Sequence, residues 1–83
     1  MNNIKEILEK EDSSIEELIN CFDQIKNNGD VAVIKFDGER EEDQYTVFIT
    51  FPNRKDREMI RADESILKNA LIKVLKDYTE TPG

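Results

Sequence analysis

The sequence has no histidine, no tryptophan and one cysteine, with only two prolines and three glycines among 83 residues. Each scarcity excludes something. Without histidine, the usual general base and the commonest metal ligand are missing. One thiol cannot supply a zinc site built on cysteine pairs. Cys21 has no intramolecular disulfide partner, whereas secreted domains of this size are commonly stapled by several. No apolar run approaches the ~20 residues of a membrane span. The opening MNNIKEILEKED lacks the apolar core of a signal peptide. These absences predict a cytosolic chain that does not cross a membrane and carries no metal and no cofactor.

The catalytic inventory is equally thin. No serine or cysteine stands beside a plausible base, and no G-x-x-x-x-G-K-[ST] loop is present. Close carboxylates are expected by chance in so acidic a chain, so they do not argue for acid–base catalysis. The expectation is that the protein is not an enzyme and has no catalytic residues. No Pro/Gly/Ser-rich linker, repeat or low-complexity tract divides the sequence. Residues 1–83 therefore read as one small domain, with 79–83 (TETPG) as a frayed tail.

What the chain does have is acid. There are 19 Asp and Glu against 12 Lys and Arg, a formal net charge of −7. Residues 1–28 hold seven acids and three bases, residues 29–61 eight and six, and residues 62–83 four and three. Binding to a nucleic-acid backbone needs a basic footprint, which this balance opposes overall.

The first region is helical. Ile4, Leu8, Ile15, Leu18, Phe22 and Ile25 follow a heptad stripe if Glu11 fills the gap. Asp12-Ser13-Ser14 breaks that stripe, and Ser13-x-x-Glu16 reads as a capping box that starts a new helix. The prediction is a short helix capped by Asn3-x-x-Glu6, a break near 11–13, and a second helix over 14–27. Asn27-Asn28-Gly29 stops it, with Gly29 in the left-handed cap position. Cys21 lies between Leu18, Phe22 and Ile25 at helical spacing and reads as an inert core residue.

Two strands follow. Val31–Phe36 is nearly continuously apolar, the pattern of a central strand or one covered on both faces. Residues 45–51 alternate, placing Tyr45, Val47, Ile49 and Phe51 on one face and Thr46, Phe48 and Thr50 on the other. The short DGEREED connection requires an antiparallel hairpin. A two-stranded sheet is only marginally stable, so a third strand is expected over 57–61. The last helix shows a wide apolar stripe at Ile66, Leu67, Ala70, Leu71, Val74, Leu75 and Tyr78, with Asp63 as N-cap and Glu64 at the positive end of the dipole. The fold class is α+β. It is a two-layer sandwich with both helical regions on one face of an antiparallel hairpin or three-stranded meander.

Three groups of residues are candidates for function. Glu39, Glu41, Glu42 and Asp43 crowd the hairpin tip, offset only by Arg40. They read as a solvated loop or as a recognition loop for a basic surface, where carboxylates stand in for phosphates. A cation-binding loop is the third reading, but the spacing is not that of a calcium loop. Glu16 and Glu17 belong to the acidic face of the first helical region and could extend a negative surface. Phe48, on the outer sheet face, is either an ordinary exposed aromatic or an anchor for a partner.

Arg54, Lys55, Arg57 and Arg61 form the opposing basic segment. It reads as a charged turn or as a nucleic-acid-contacting patch. Helix–three strands–helix is the order of the double-stranded-RNA-binding domain, and Leu67-Lys68-Asn69-Ala70-Leu71 resembles that family's second helix. The family opens that helix with phosphate-gripping lysines, where this chain has Asp63-Glu64. The resemblance covers element order and helix pattern only, and such analogy does not carry function.

The favoured expectation is a small interaction protein that binds and occludes a basic, nucleic-acid-binding protein. It would be of the inhibitor, antitoxin, immunity or phage-inhibitor type and would act as a nucleic-acid mimic. The alternatives are a nucleic-acid-binding module using residues 54–61, and a homodimeric structural protein pairing through the Ile4–Ile25 stripe or a sheet edge. Small cores are marginal, which is why a dimer enters the comparison.

Overall fold

A computed structural model describes residues 4–80. The helices and strands come in the order α1 (Ile4–Glu9), α2 (Ile15–Asn27), β1 (Val31–Phe36), β2 (Tyr45–Thr50), β3 (Ile60–Glu64) and α3 (Leu67–Glu80). The strands form an antiparallel meander in the order β1-β2-β3. This is the expected α+β arrangement, and the helical break falls where the sequence put it.

The break is built by two consecutive serines. The Ser13 hydroxyl donates to the carbonyl of Ile7 (2.5 Å), closing the end of α1. Ser14 is the N-cap of α2: its hydroxyl accepts from the Glu17 amide, while the Glu17 carboxylate accepts from the Ser14 amide, both at 3.1 Å. The capping box thus lies one residue later than Ser13–Glu16, because Ser13 is buried against α1. The other expected cap residue, Asn3, falls outside the described residues.

At the far end of α2, Gly29 donates to the Lys26 carbonyl (2.9 Å) and Asp30 to that of Ile25 (3.2 Å). Gly29 has φ of +87°. This pair of bonds is the Schellman pattern, which needs a left-handed residue at that position.

β2 is the central strand, and its inner face makes the core. Val47 and Ile49 are fully buried against Leu71, Val74 and Leu75 of α3 and Leu18 and Ile25 of α2, with Phe51 buried just beyond the strand. Cys21 belongs to this core. Its thiol donates to the Glu17 carbonyl (3.4 Å), and burial raises its pKa above the ordinary thiol value. Of the Ile4–Ile25 stripe, Ile4, Leu18 and Ile25 are buried within the chain and Leu8 and Phe22 partly so, whereas Ile15 stays 41% exposed.

Four expectations are corrected. First, β1 is an edge strand rather than a central or doubly covered one. Ala32 and Ile34 pack on the core, while Val31 and Val33 remain 47% and 37% exposed on the outer face. Second, β3 spans Ile60–Glu64 rather than 57–61, because Ile60 and Ala62 pair with Ile49 and Val47 and continue the inner face.

Third, Asp63 and Glu64 are therefore strand residues, not the cap and first turn of α3. The first helical bonds run from the Asn69 and Ala70 amides to the Ile66 carbonyl. Ile66 itself is 58% exposed and leaves the apolar stripe, which the residues from Ala70 to Tyr78 carry into the core. Fourth, Thr79 and Glu80 continue α3 instead of fraying, whereas 81–83 lie outside the described residues.

Replacing Gly29 by alanine forces a Cβ into the left-handed region. The Gly29→Ala variant should lose about 1–2 kcal/mol of stability, read as a lower urea midpoint at unchanged m-value.

Candidate interaction surface

α2 and α3 pack on one side of the sheet, with α1 against those two helices, leaving the other side uncovered among the described residues. Its centre is Phe48, half-buried, opposite Val33 on β1 and Arg61 on β3. Val31 lies alongside, and Met59, at the approach to β3, is 52% exposed.

The end of this face nearest the hairpin is polar and tightly bonded. The Asp63 carboxylate accepts from Arg61 Nε (3.0 Å) and Nη2 (3.2 Å), from Arg40 Nη1 (3.0 Å) and from the Thr46 hydroxyl (2.5 Å). These donors, Arg61 foremost and then Thr46 and Arg40, hold its pKa far below the usual carboxylate range.

The hairpin tip is tied to this network. Asp37 accepts from the Glu39 amide (3.0 Å), an Asx-type turn that lowers the Asp37 pKa, with Lys35 at 3.4 Å contributing further. Gln44 donates to the Arg40 carbonyl (2.6 Å). Asp43 adopts φ of 50°; its amide donates to the Ser65 hydroxyl, which in turn donates to the Asp43 carboxylate, both at 3.2 Å. Arg40, the one base within residues 39–43, is turned back onto Asp63. Glu39, Glu41 and Glu42 are left exposed at the tip, while Asp43 is half-buried. The sequence brought these four carboxylates together; the structure separates the three outward ones from Asp43, which fixes the loop.

The two helix acids differ in the same way. Glu16 is exposed in the first turn of α2. Glu17 is occupied by the capping box and by an ion pair with Lys10 across the break, and these contacts lower its pKa, Lys10 most of all.

The basic segment does not form one cationic face. Arg57 donates to the Tyr78 carbonyl (2.8 Å), and its guanidinium lies 4.1 Å from the Phe51 ring centre and 4.9 Å from that of Tyr78. Its Nε is buried without a partner among the described residues. Arg54 pairs with the buried carboxylate of Asp30 (3.6 Å), which also accepts from the Tyr78 hydroxyl (2.8 Å). Arg61 lies across the outer sheet face on Asp63, and Lys55 is exposed. Sequence reasoning also missed Val31, Val33, Ile15, Ile19 and Phe36 as exposed apolar residues; for β1 the signal was an apolar run longer than one buried face requires, whereas Ile15 sits in the stripe read as core.

Among the described residues, no group of three or more Cys, Asp or Glu side chains could hold a metal ion, and no helix is long and apolar enough to cross a membrane. No family model matches the sequence, and no curated protein or solved structure matches it either.

Two predictions follow from these contacts. Arg57→Ala removes a bond to a carbonyl and the contact with two rings, so it should cost about 1–3 kcal/mol of stability, measured by chemical denaturation; a merely solvated arginine would cost nothing. For Asp63, the folded pKa is below the unfolded value of about 3.9. Its stabilisation is therefore complete above that value and is lost as pH falls through the lower folded value. Asp63→Asn should abolish this part of the acid sensitivity, so that denaturation midpoints of wild type and variant converge as the pH drops below about 4.

Proposed function

We propose that this chain is a small, non-catalytic, cytosolic interaction protein that binds and occludes a basic protein partner, as inhibitors, antitoxins and immunity proteins do. The observation that carries this reading is the pairing of two surfaces. Glu39, Glu41 and Glu42 project from a hairpin anchored by Asp43–Ser65 and Arg40–Asp63. Beside them, the uncovered sheet face offers Phe48 and Val33.

Carboxylates held in fixed positions attract a cationic surface and raise its rate of encounter. An apolar centre with a charged rim suits a protein partner better than a phosphate backbone. The partner is a protein whose basic site ordinarily holds nucleic acid, with the tip carboxylates in the place of phosphates. A nucleic-acid-binding role for residues 54–61 has less support, because Arg54 and Arg57 are engaged internally.

The test is capture from host lysate by the wild type and by the triple variant Glu39→Lys/Glu41→Lys/Glu42→Lys, at low and high salt. The expected result is a basic protein retained at low salt, released as salt rises, and lost with the variant. Capture indifferent both to ionic strength and to the triple substitution refutes the electrostatic reading. Retardation of duplex DNA or RNA by the wild type, abolished in Arg61→Glu, would favour direct nucleic-acid binding instead.

A further inference from the structure

Among the described residues seven large apolar side chains are notably exposed, and five of them lie on two adjoining elements: Ile15 and Ile19 on α2, and Val31, Val33 and Phe36 on β1. Phe36, at 67%, is the most exposed of all. This strip borders the free edge of the sheet. The other edge, β3, carries Arg61, Asp63 and Glu64 within five residues, the charged pattern that blunts an edge against pairing. β1 has only Lys35, and its ion pair with Asp37 already neutralises it.

The backbone of β1 is specific about what it offers. The Asp37 amide donates to the Gln44 carbonyl, so residues 31, 33 and 35 are the ones that exchange bonds with β2. The N–H and C=O groups of Ala32, Ile34 and Phe36 therefore point to the open edge.

We infer that β1 pairs antiparallel with β1 of a second copy about a two-fold axis at Ile34. In this register Ile34 faces Ile34 of the other copy and Ala32 faces Phe36. Every outward N–H and C=O of Ala32, Ile34 and Phe36 then meets a partner, and the two meanders become one six-stranded sheet. Side chains match as well. Ala32 and Phe36 lie on the inner face of the sheet, the face of Val47. Phe36 of one copy thus arrives over Ala32 of the other, a large residue against a small one. A groove between α2 and β1, lined by Ile19, Phe22, Val31 and Ala32, opens there to receive it.

On the outer face Lys35 lies opposite Val33, where its aliphatic stem covers the valine. The acidic hairpin of each copy runs past the Gly29–Asp30 end of the other, where the acids are already offset, Asp23 by Lys26 and Asp30 by Arg54. A second copy suits this edge because the strip presents both the projecting aromatic and the groove that takes it, as a two-fold contact requires.

The proposal stands apart from the basic-partner reading, since the hairpin acids contribute only at its margin. Its test is sedimentation equilibrium of the full chain from low to high micromolar concentration, with amide hydrogen exchange at both ends of the range. The expected result is a monomer–dimer equilibrium in which the Ala32, Ile34 and Phe36 amides become protected as concentration rises.

Phe36→Lys removes the aromatic. Phe36→Pro removes an outward N–H that the monomer leaves unpaired, so neither substitution takes a ladder bond from the folded chain. Each should raise the dimer Kd about tenfold or more, with the circular dichroism spectrum unchanged. A monomer throughout the range, or a dimer that both variants leave intact, overturns the proposal. So does edge protection that appears only when a different protein is added.

Discussion

The structure depends on one contact surface, the inner face of β2 against α3. Val47 and Ile49 are fully buried, as are Leu71, Val74 and Leu75 opposite them. Every other element is placed by reference to that surface. β1 and β3 pair with β2 from either side, and α2 fills the remaining inner space over β1 with Leu18, Cys21 and Ile25. The described helices lie on one side of this sheet. The other side is left uncovered among the described residues, with Val31 and Val33 exposed on it and Phe48 half-buried.

A second set of contacts locks the end of the molecule away from the hairpin. Tyr78, near the end of α3, donates its hydroxyl to Asp30 and accepts from Asn28, tying α3 to the turn between α2 and β1. Its ring stacks with Phe51 at 6.0 Å, and Arg57 packs against both. Burial raises the pKa of the phenol above its ordinary value. The loop after β2 is thereby fixed to elements distant in sequence. This arrangement explains why a segment that reads as a run of free cations presents so little free charge.

Legibility in the sequence followed the range of the interaction. The helix break, the hairpin and the apolar stripe of α3 rest on neighbours a few residues apart, and they were readable. The cap was ambiguous by one residue because Ser13 and Ser14 each have a glutamate three positions on; burial of Ser13 against Ile7 decides it. β3 was displaced because Arg61-Ala62-Asp63-Glu64 has little strand propensity, and only pairing with β2 makes it a strand. The roles of Arg54 and Arg57 depend on partners more than twenty residues away in sequence, Asp30 and Tyr78. At the candidate surface the cluster of acids was visible in advance. The division between exposed Glu39, Glu41 and Glu42 and anchored Asp43 was not, because it depends on Ser65 across the fold.

The same one-sided packing gives the net charge of −7 a structural meaning. A molecule with one bare sheet face and one undefended strand edge is exposed to indiscriminate association. Excess carboxylate on the solvent side of the helical layer and at the hairpin opposes that, but only over roughly the 8 Å screening length of physiological salt. Beyond contact distance the field therefore selects for cationic surfaces and against other copies. At contact, fixed geometry decides the outcome. On the β1 side the local charges are paired, Lys26 with Asp23 and Lys35 with Asp37, so a well-matched backbone edge encounters little of the repulsion carried elsewhere. Charge and exposed apolar area thus act at different distances: the first is felt on approach, and the second only at contact.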